Sequence, residues 1–586
     1  MSLKPGMDAP FKTLNSPSTS PSTFSSIYLM LPLHNTRDEE SKSLGRRWLG
    51  RPLARWAALG VCLVLGFWFL TPLVFEWHDD IRFTPRFTLL PLQDVFGVKA
   101  QPGLVMGTMP PKLDDSRLWN QRAAKVRDAY KHGYNHYLKY AAGHDELLPL
   151  SNGWQDKGVS MIDSMDTMWI MGLRAEFDDA VRVVAQQNFT QITGFYAPFF
   201  ETVIRYLGGL LSAYALSGET ILLARADDLG ARLLPAFNSP SGLPRFGVNP
   251  ATGDTSLGWT GGPVLFAEAA SCQVEYKYLA HLTGRAEYFE RVENVMDKIY
   301  AANVTDGLFA TQWDPADAMP LDTHFSVGAS VDSGYEYLLK QYLLSSKSET
   351  RAKSQYLASM DGIINHLLYL SPTRKLLYVT DTSYGTPTHN LEHLACFLPG
   401  LLALGAHTLP AADLSPHDRE RHMWAARGLA YTCYVTYADQ RTGLGPDGVQ
   451  FDEGGTRWVE ALGEDYQDSS SVYILRPETV ESFFVLWKTT GDVKWRERGW
   501  AVFQALEKHA RVQNGYASVH DVDEVPAVPN DDMPSYFLAE TLKYLYLLFA
   551  EADIVPLDKW VFNTEAHPLP VFTWSQWERK AYNIRT

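Results

Sequence analysis

Cysteine is scarce here: 586 residues carry only four, too few for a scaffold of small disulfide-stapled modules. The long globular part also has no basic stripe, and the formal net charge is −15. With little to neutralise phosphates, such a chain is a poor partner for nucleic acid. No loop has EF-hand spacing, so no metal site can be read from motif spacing. Apolar residues are plentiful, at 46% hydrophobic against 20% charged, which excludes a disordered chain and allows a sizeable core. The 17 Trp and 29 Tyr would suit stacking on sugar faces, but filling that core is the simpler reading.

The first hundred residues differ from the rest. Asn15 to Ser26 is a Ser, Thr and Pro run that cannot build a core, so residues 1–55 read as a disordered tail. Trp56 to Phe75 is 20 residues without a charge, close to the ~20 residues a helix needs to cross a bilayer. Arg46, Arg47, Arg51 and Arg55 precede it, and Glu76, Asp79 and Asp80 follow it. That asymmetry predicts a cytosolic tail, a signal anchor over 56–75 and a lumenal remainder. A cleaved signal peptide or a buried core helix are the other readings of such a run. The Pro-rich stretch 76–114 reads as a stem. The sequons at Asn188 and Asn303 fit a lumenal location. Of the cysteines beyond the span, Cys272, Cys396 and Cys433, at most one intramolecular pair can form, and the sequence does not choose it.

From Ser116 onward, amphipathic helices recur in pairs joined by a Gly turn, as in YALSGETILLARADDLGARLL, YLAHLTGRAEYFERVENVMDKIYA and LWKTTGDVKWRERGWAVFQALEKHA. Several pairs are followed by short segments of strand or loop character, such as GLFATQWDPA and GLGPDGVQFDEG. Stacked hairpins could close into a toroid or run on as an open solenoid, and periodicity does not separate the two.

Several acidic residues sit at predicted helix starts beside aromatic or Gly-rich neighbours. Glu201 follows Phe199 and Phe200, with Arg205 four residues on and within ion-pair reach. Ser333 and Glu336 have capping-box spacing, which places Asp332 just outside a helix. Pro477 suits a first helical position, so Glu478 would feel the positive end of the helix dipole, which favours an ionised base. Glu481 shares its face. Taken singly, each of these could be an ordinary capping or paired charge.

Read together and in order, HDELLPL, MIDSMDTMWIMGL, FETVIRYLGGLLSAY, FAEAASCQVEYKYL, VDSGYEYLLKQ, LEHLACFLPGLLALG, LRPETVESFF, SYFLAETLKYLYLLF and FNTEAHPLP resemble the class I α-1,2-mannosidases, glycoside hydrolase family 47. The likeness runs from about Asp115 to Pro570, leaving 571–586 as a C-terminal tail. It implies an (α/α)7 barrel; with the strand-like segments and the span read above, the expected fold is all-α dominated with short β-hairpins and loops at one end, behind a single transmembrane helix. It implies inverting hydrolysis of terminal α-1,2-mannose on high-mannose N-glycans. By this resemblance Glu201 is the general acid, acting through a water, Glu478 the favoured base, and Asp332 lies beside the reacting sugar. Inversion needs carboxyls ~6.5–9.5 Å apart, leaving room for the attacking water. A calcium ion held by Thr564 is implied too, with Glu275, Glu481, Glu540, Glu565, Arg205 and Arg476 around substrate and metal-bound waters. Cys396 and Cys433 occupy the family's disulfide positions, leaving Cys272 as a buried apolar thiol.

Two positions depart from the resemblance. Ser330 stands where branch-restricted endoplasmic reticulum forms carry Arg, which points to broader, Golgi-like trimming. Gly334 replaces an aromatic, a change expected to remove bulk near the site. The endoplasmic reticulum and the Golgi both fit the expected topology. A weakly catalytic, mannose-recognising homologue acting in glycoprotein degradation is the alternative reading.

Overall fold

The computed structural model describes residues 116–156, 159–190, 195–302, 304–452 and 465–584. The expected tail, the span at 56–75, the stem and Asn303 lie outside the described residues. Among the described residues, no helix is long and apolar enough to cross a membrane.

Fourteen of the helices alternate between two layers. In chain order they begin α1 (Ser116–Tyr140), α2 (Met165–Ile170), α3 (Arg174–Gln186), α4 (Gly208–Ser217), α5 (Thr220–Leu233), α6 (Gln273–Thr283) and α7 (Ala286–Ala301). The second half comprises α8 (Asp332–Leu344), α9 (Thr350–His366), α10 (Leu398–Thr408), α11 (Pro416–Ala438), α12 (Glu478–Thr490), α13 (Lys494–Ala505) and α14 (Leu542–Phe549). The even-numbered helices form the inner layer. Each packs on the next, and the turn Phe537–Thr541 that leads into α14 returns to α2, so the ring closes. Closure excludes the open solenoid that periodicity had left possible.

Burial shows why the helices sort this way. In α8 every residue from Ser333 to Leu344 is buried, as expected of a helix surrounded on all sides. Outer α7 buries only Tyr288, Phe289, Val292, Val295, Met296 and Ile299, the single stripe of a helix with one wet face. Inner helices α4, α6 and α12 each end in a left-handed glycine, Gly218, Gly284 and Gly491, at φ 79°, 72° and 67°. These are the Gly turns visible in the sequence, and they reverse the chain into the outer partner. The α1 helix packs against α14, so the first and last helices meet. The C-terminal stretch read as a tail also packs down, burying Trp574 and Tyr582 in the core.

The ring is plugged by a hairpin in which Trp560–Phe562 pairs with Pro568–Pro570. Its loop carries buried Asn563, Glu565 and His567 into the centre. Asn563 Nδ2 donates to the Ile204 carbonyl at 2.9 Å and to Glu275 at 2.8 Å, while Lys340 and Lys543 donate to the Asn563 and Ala566 carbonyls. His567 sits between Asp166 at 2.8 Å and Asp163 at 3.1 Å. Burial favours its neutral form, but the two carboxylates outweigh that and raise its pKa. The LGG motif is explained here: a Cβ on Gly208 would lie 2.6 Å from Asn563 Nδ2 and 2.9 Å from His567 Cδ2. Gly208→Ala is therefore expected to lower stability by about 1–3 kcal/mol through overpacking, readable as a lower melting temperature.

Candidate active site

Chain entry into the inner helices brings acidic residues to one end of the ring. Strand Ala197–Pro198 pairs with Gly247–Val248 and runs straight into the turn that carries Glu201. Asp332 is the first residue of α8, Glu478 the first of α12, and Glu540 lies in the turn before α14. Helix N-termini favour negative charge, so these elements place several carboxylates around one centre. Glu201 is more open than Glu478, with its side chain 44% exposed against 12%.

Glu478 is held ionised. Its Oε2 accepts from His393 Nδ1 at 2.8 Å, and Arg476, itself paired with Asp447, lies 3.8 Å from Oε1. Burial alone would raise the carboxyl, but the His393 hydrogen bond and charge, aided by Arg476, hold it below the ordinary glutamate range. His393 Nε2 is in turn within 2.6 Å of the Tyr437 hydroxyl, which fixes the ring. His393→Ala would remove the largest lowering influence, so the Glu478 carboxyl would stay protonated to higher pH. The acid limb of the kcat/KM profile should therefore move to higher pH, with the greatest loss on the acid side; an unmoved limb would exclude His393 from this role.

Asp332 is in the opposite condition. Burial pushes its pKa up to about 7, Glu336 and Glu478 add to the rise, and hydrogen bonding from Ser333 opposes it. Two neighbouring carboxyls are thus driven to different protonation states, the arrangement by which acid and base roles separate.

Non-glycine residues in the left-handed region flank the key positions. Ser330, Leu475 and Ala566 have φ of 77°, 65° and 55°, each within three residues of Asp332, Glu478 or Thr564. Such conformations cost of order 1–3 kcal/mol each and persist only where surrounding structure enforces them. A hydrogen bond to each carbonyl supplies that restraint: from Ala267 N at 2.9 Å, from Thr541 Oγ1 at 2.7 Å and from Lys543 Nζ at 2.6 Å, respectively.

Glu201 connects to the plug through Arg205, which pairs with Glu201 at 2.7 Å, Glu565 at 2.9 Å and Asp163 at 3.6 Å. Burial raises Glu565, and Arg205 opposes the rise. Burial and the adjacent Glu565 hold Glu540 well above the ordinary range. Burial and Glu336 likewise raise Glu481.

Thr564 sits at the loop tip, its backbone N–H 3.4 Å from the Tyr337 hydroxyl, which donates to Glu275 at 2.5 Å. Among the described residues, no group of three or more His, Cys, Asp or Glu is arranged to hold a metal directly. Among the described residues the backbone N–H is the only Thr564 group seen in a hydrogen bond, and buried Glu275 Oε2 has no partner. Threonine oxygens and a spare carboxylate acceptor are the hard donors that would suit a cation such as calcium bound by Thr564, with carboxylates reaching it through water.

Comparison with known proteins settles the kinship. The family model described as glycosyl hydrolase family 47 matches residues 129–571. The chain belongs to glycosyl hydrolase family 47. Membership places it among the glycoside hydrolases. It is 42% identical over 476 residues to a human protein named endoplasmic reticulum mannosyl-oligosaccharide 1,2-alpha-mannosidase, covering 78% of this chain and 64% of that protein. It is 37% identical over 485 residues to a Drosophila melanogaster protein named mannosyl-oligosaccharide alpha-1,2-mannosidase IA, covering 80% of this chain and 71% of that one. The solved alpha-1,2-mannosidase from Trichoderma reesei superposes with a TM-score of 0.72 at 31% identity, covering 77% of this chain and 99% of that one.

Several expectations for this family 47 chain are refined by its structure. Ser333 does not cap α8. The cap position is Val331, with no side-chain cap bond, and the helix begins at Asp332 itself. Ser333 is instead drawn into hydrogen bonds with Asp332 and Ser271, and Glu336 is bound to Lys340. Pro477 stands at the cap, one position before the helix. Gly334 opens no space: a Cβ there would lie 2.4 Å from the Phe266 ring, which already fills the volume. Cys396 and Cys433 are bonded, tying the segment before α10 to α11, and Cys272 is a buried free thiol. Asn188 is exposed, its side chain accepting from Thr190. Sequence reasoning missed His393 and Asp447. His393 stood inside a quoted motif, LEHL, but its partner Glu478 is 85 residues away.

Proposed function

We propose that this family 47 chain hydrolyses terminal α-1,2-linked mannose from high-mannose N-glycans, with inversion, in the lumen of the secretory pathway. Glu478 carries this reading: it is a part-buried carboxyl kept ionised by His393 and Arg476, beside a second carboxyl, Asp332, pushed up to about 7 by burial and by Glu336 and Glu478. The names of the similar proteins supply the substrate class.

In the proposed reaction Glu478 takes a proton from water as the water oxygen bonds to the anomeric carbon. The glycosidic C–O bond breaks, and Glu201 supplies a proton to the departing oxygen through an intervening water, steadied by Arg205. Asp332 lies beside the reacting ring. Glu275, Glu481, Glu540, Glu565 and Arg476 position sugar hydroxyls and waters. Calcium, when bound through Thr564 as proposed, would supply a hard cation for vicinal mannose hydroxyls and favour a distorted ring. The ring of seven helix pairs is the scaffold of an (α/α)7 barrel, and we place a signal anchor at 56–75 ahead of it. The small side chain at Ser330 supports trimming of more than one branch.

The test is to incubate the enzyme with a high-mannose N-glycan and follow both products by NMR. Release of β-mannose before mutarotation, with loss of α-1,2 linkages, is expected. First-formed α-mannose, or no release, would refute the reading, and the order of product isomers reads the branch preference.

A further inference from the structure

Three cavities linked by shared or bonded lining residues begin at Arg476, which lies 3.8 Å from Glu478. Arg476 and Asp447 border a cavity of about 200 Å³ that Asn390 and Glu392 also line. Asn390 and Glu392 likewise border a neighbouring small pocket of about 10 Å³, whose wall includes Asp381. Asp381 is bonded to His324 at 3.0 Å. His324 in turn lines an outer cleft of about 490 Å³ together with Leu321, Asp322, Ser383 and Tyr384, a volume within the roughly 300–1,000 Å³ of ligand clefts.

Tyr384 is the unusual feature of that cleft. It sits at the tip of the hairpin in which Thr382 pairs with Pro387 and Ser383 with Thr386. Tyr384 and Gly385 both have positive φ, 52° and 77°, the two-residue turn that Asn, Asp or Gly normally occupies. A bulky residue there is strained, and this one is 93% exposed, so packing against the fold does not account for it. An exposed aromatic face over a polar cleft suits the C–H face of a sugar, with Ser383 and His324 available to its hydroxyls.

Resting on the mannosidase reading above, we propose that this outer cleft, with Tyr384 as its platform, binds a distal sugar of the same N-glycan whose terminal mannose lies at Glu478. Tyr384 is a positioning residue that acts on affinity for the whole glycan and not on the bond-breaking step.

The experiment compares the full chain with Tyr384→Asn and Tyr384→Phe. Asn relieves the strained turn while removing the ring, so folding is not put at risk. With a free high-mannose N-glycan, Tyr384→Asn should raise KM about fivefold or more at unchanged kcat. Its kinetics on α-1,2-mannobiose should not change, and Tyr384→Phe should behave as the parent on both. An N-glycan KM within about twofold of the parent would overturn the proposal. So would a parallel loss on both substrates, which would make Tyr384 structural. A defect seen only with a glycoprotein, and not with the free glycan, would overturn it in favour of a polypeptide contact. Failure of the parent enzyme to release mannose from either substrate would instead sink the mannosidase reading itself.

Discussion

Glu478→Gln is expected to reduce kcat by about 10³-fold or more while leaving glycan affinity within a few-fold, because the substitution keeps shape and removes only the proton acceptor. The surroundings make this a sharp test. His393 and Arg476 hold the native carboxyl ionised, a preparation of no use to a neutral amide. Three neighbouring carboxyls are less readily ionised: burial pushes Asp332 up to about 7 and raises Glu481 and Glu540. Steady-state kinetics beside direct glycan binding would check the split. A variant retaining kcat within about tenfold of the parent would remove Glu478 as the base.

Calcium removal should have the second large effect. With excess chelator, turnover is expected to fall to background and the melting temperature to drop, since a ligand that binds only the folded state stabilises it by mass action. Restoring calcium should recover both, whereas magnesium should not, because it demands a tighter octahedral shell than a threonine, waters and sugar hydroxyls readily supply. Thr564→Ala should weaken calcium binding measured by calorimetry. Unchanged turnover and melting in excess chelator would refute the metal role.

Much of this protein can be read along the chain. Helix pairs were legible because apolar stripes repeat with the helical period and because Gly218, Gly284 and Gly491 mark the turns between partners. Glu201 and Arg205 were legible as a pair because they sit one helical turn apart, and the structure joins them at 2.7 Å. The capping reading of Ser333 failed for a tertiary reason: Ser271, 62 residues away, competes for its hydroxyl. Gly334 misled in the same way, since Phe266 from another segment fills the space.

The sequence by itself determined the helical period, the turns and the residue types that carry chemistry, all of which depend on neighbours within a few positions. Only the tertiary structure decided that the ring closes from the turn before α14 back to α2, that His393 holds Glu478 ionised, and that Ser330, Leu475 and Ala566 are forced into left-handed backbone. Those outcomes depend on contacts between segments tens to hundreds of residues apart, and the free energy of a buried charge or a strained bond is set by what surrounds it in space.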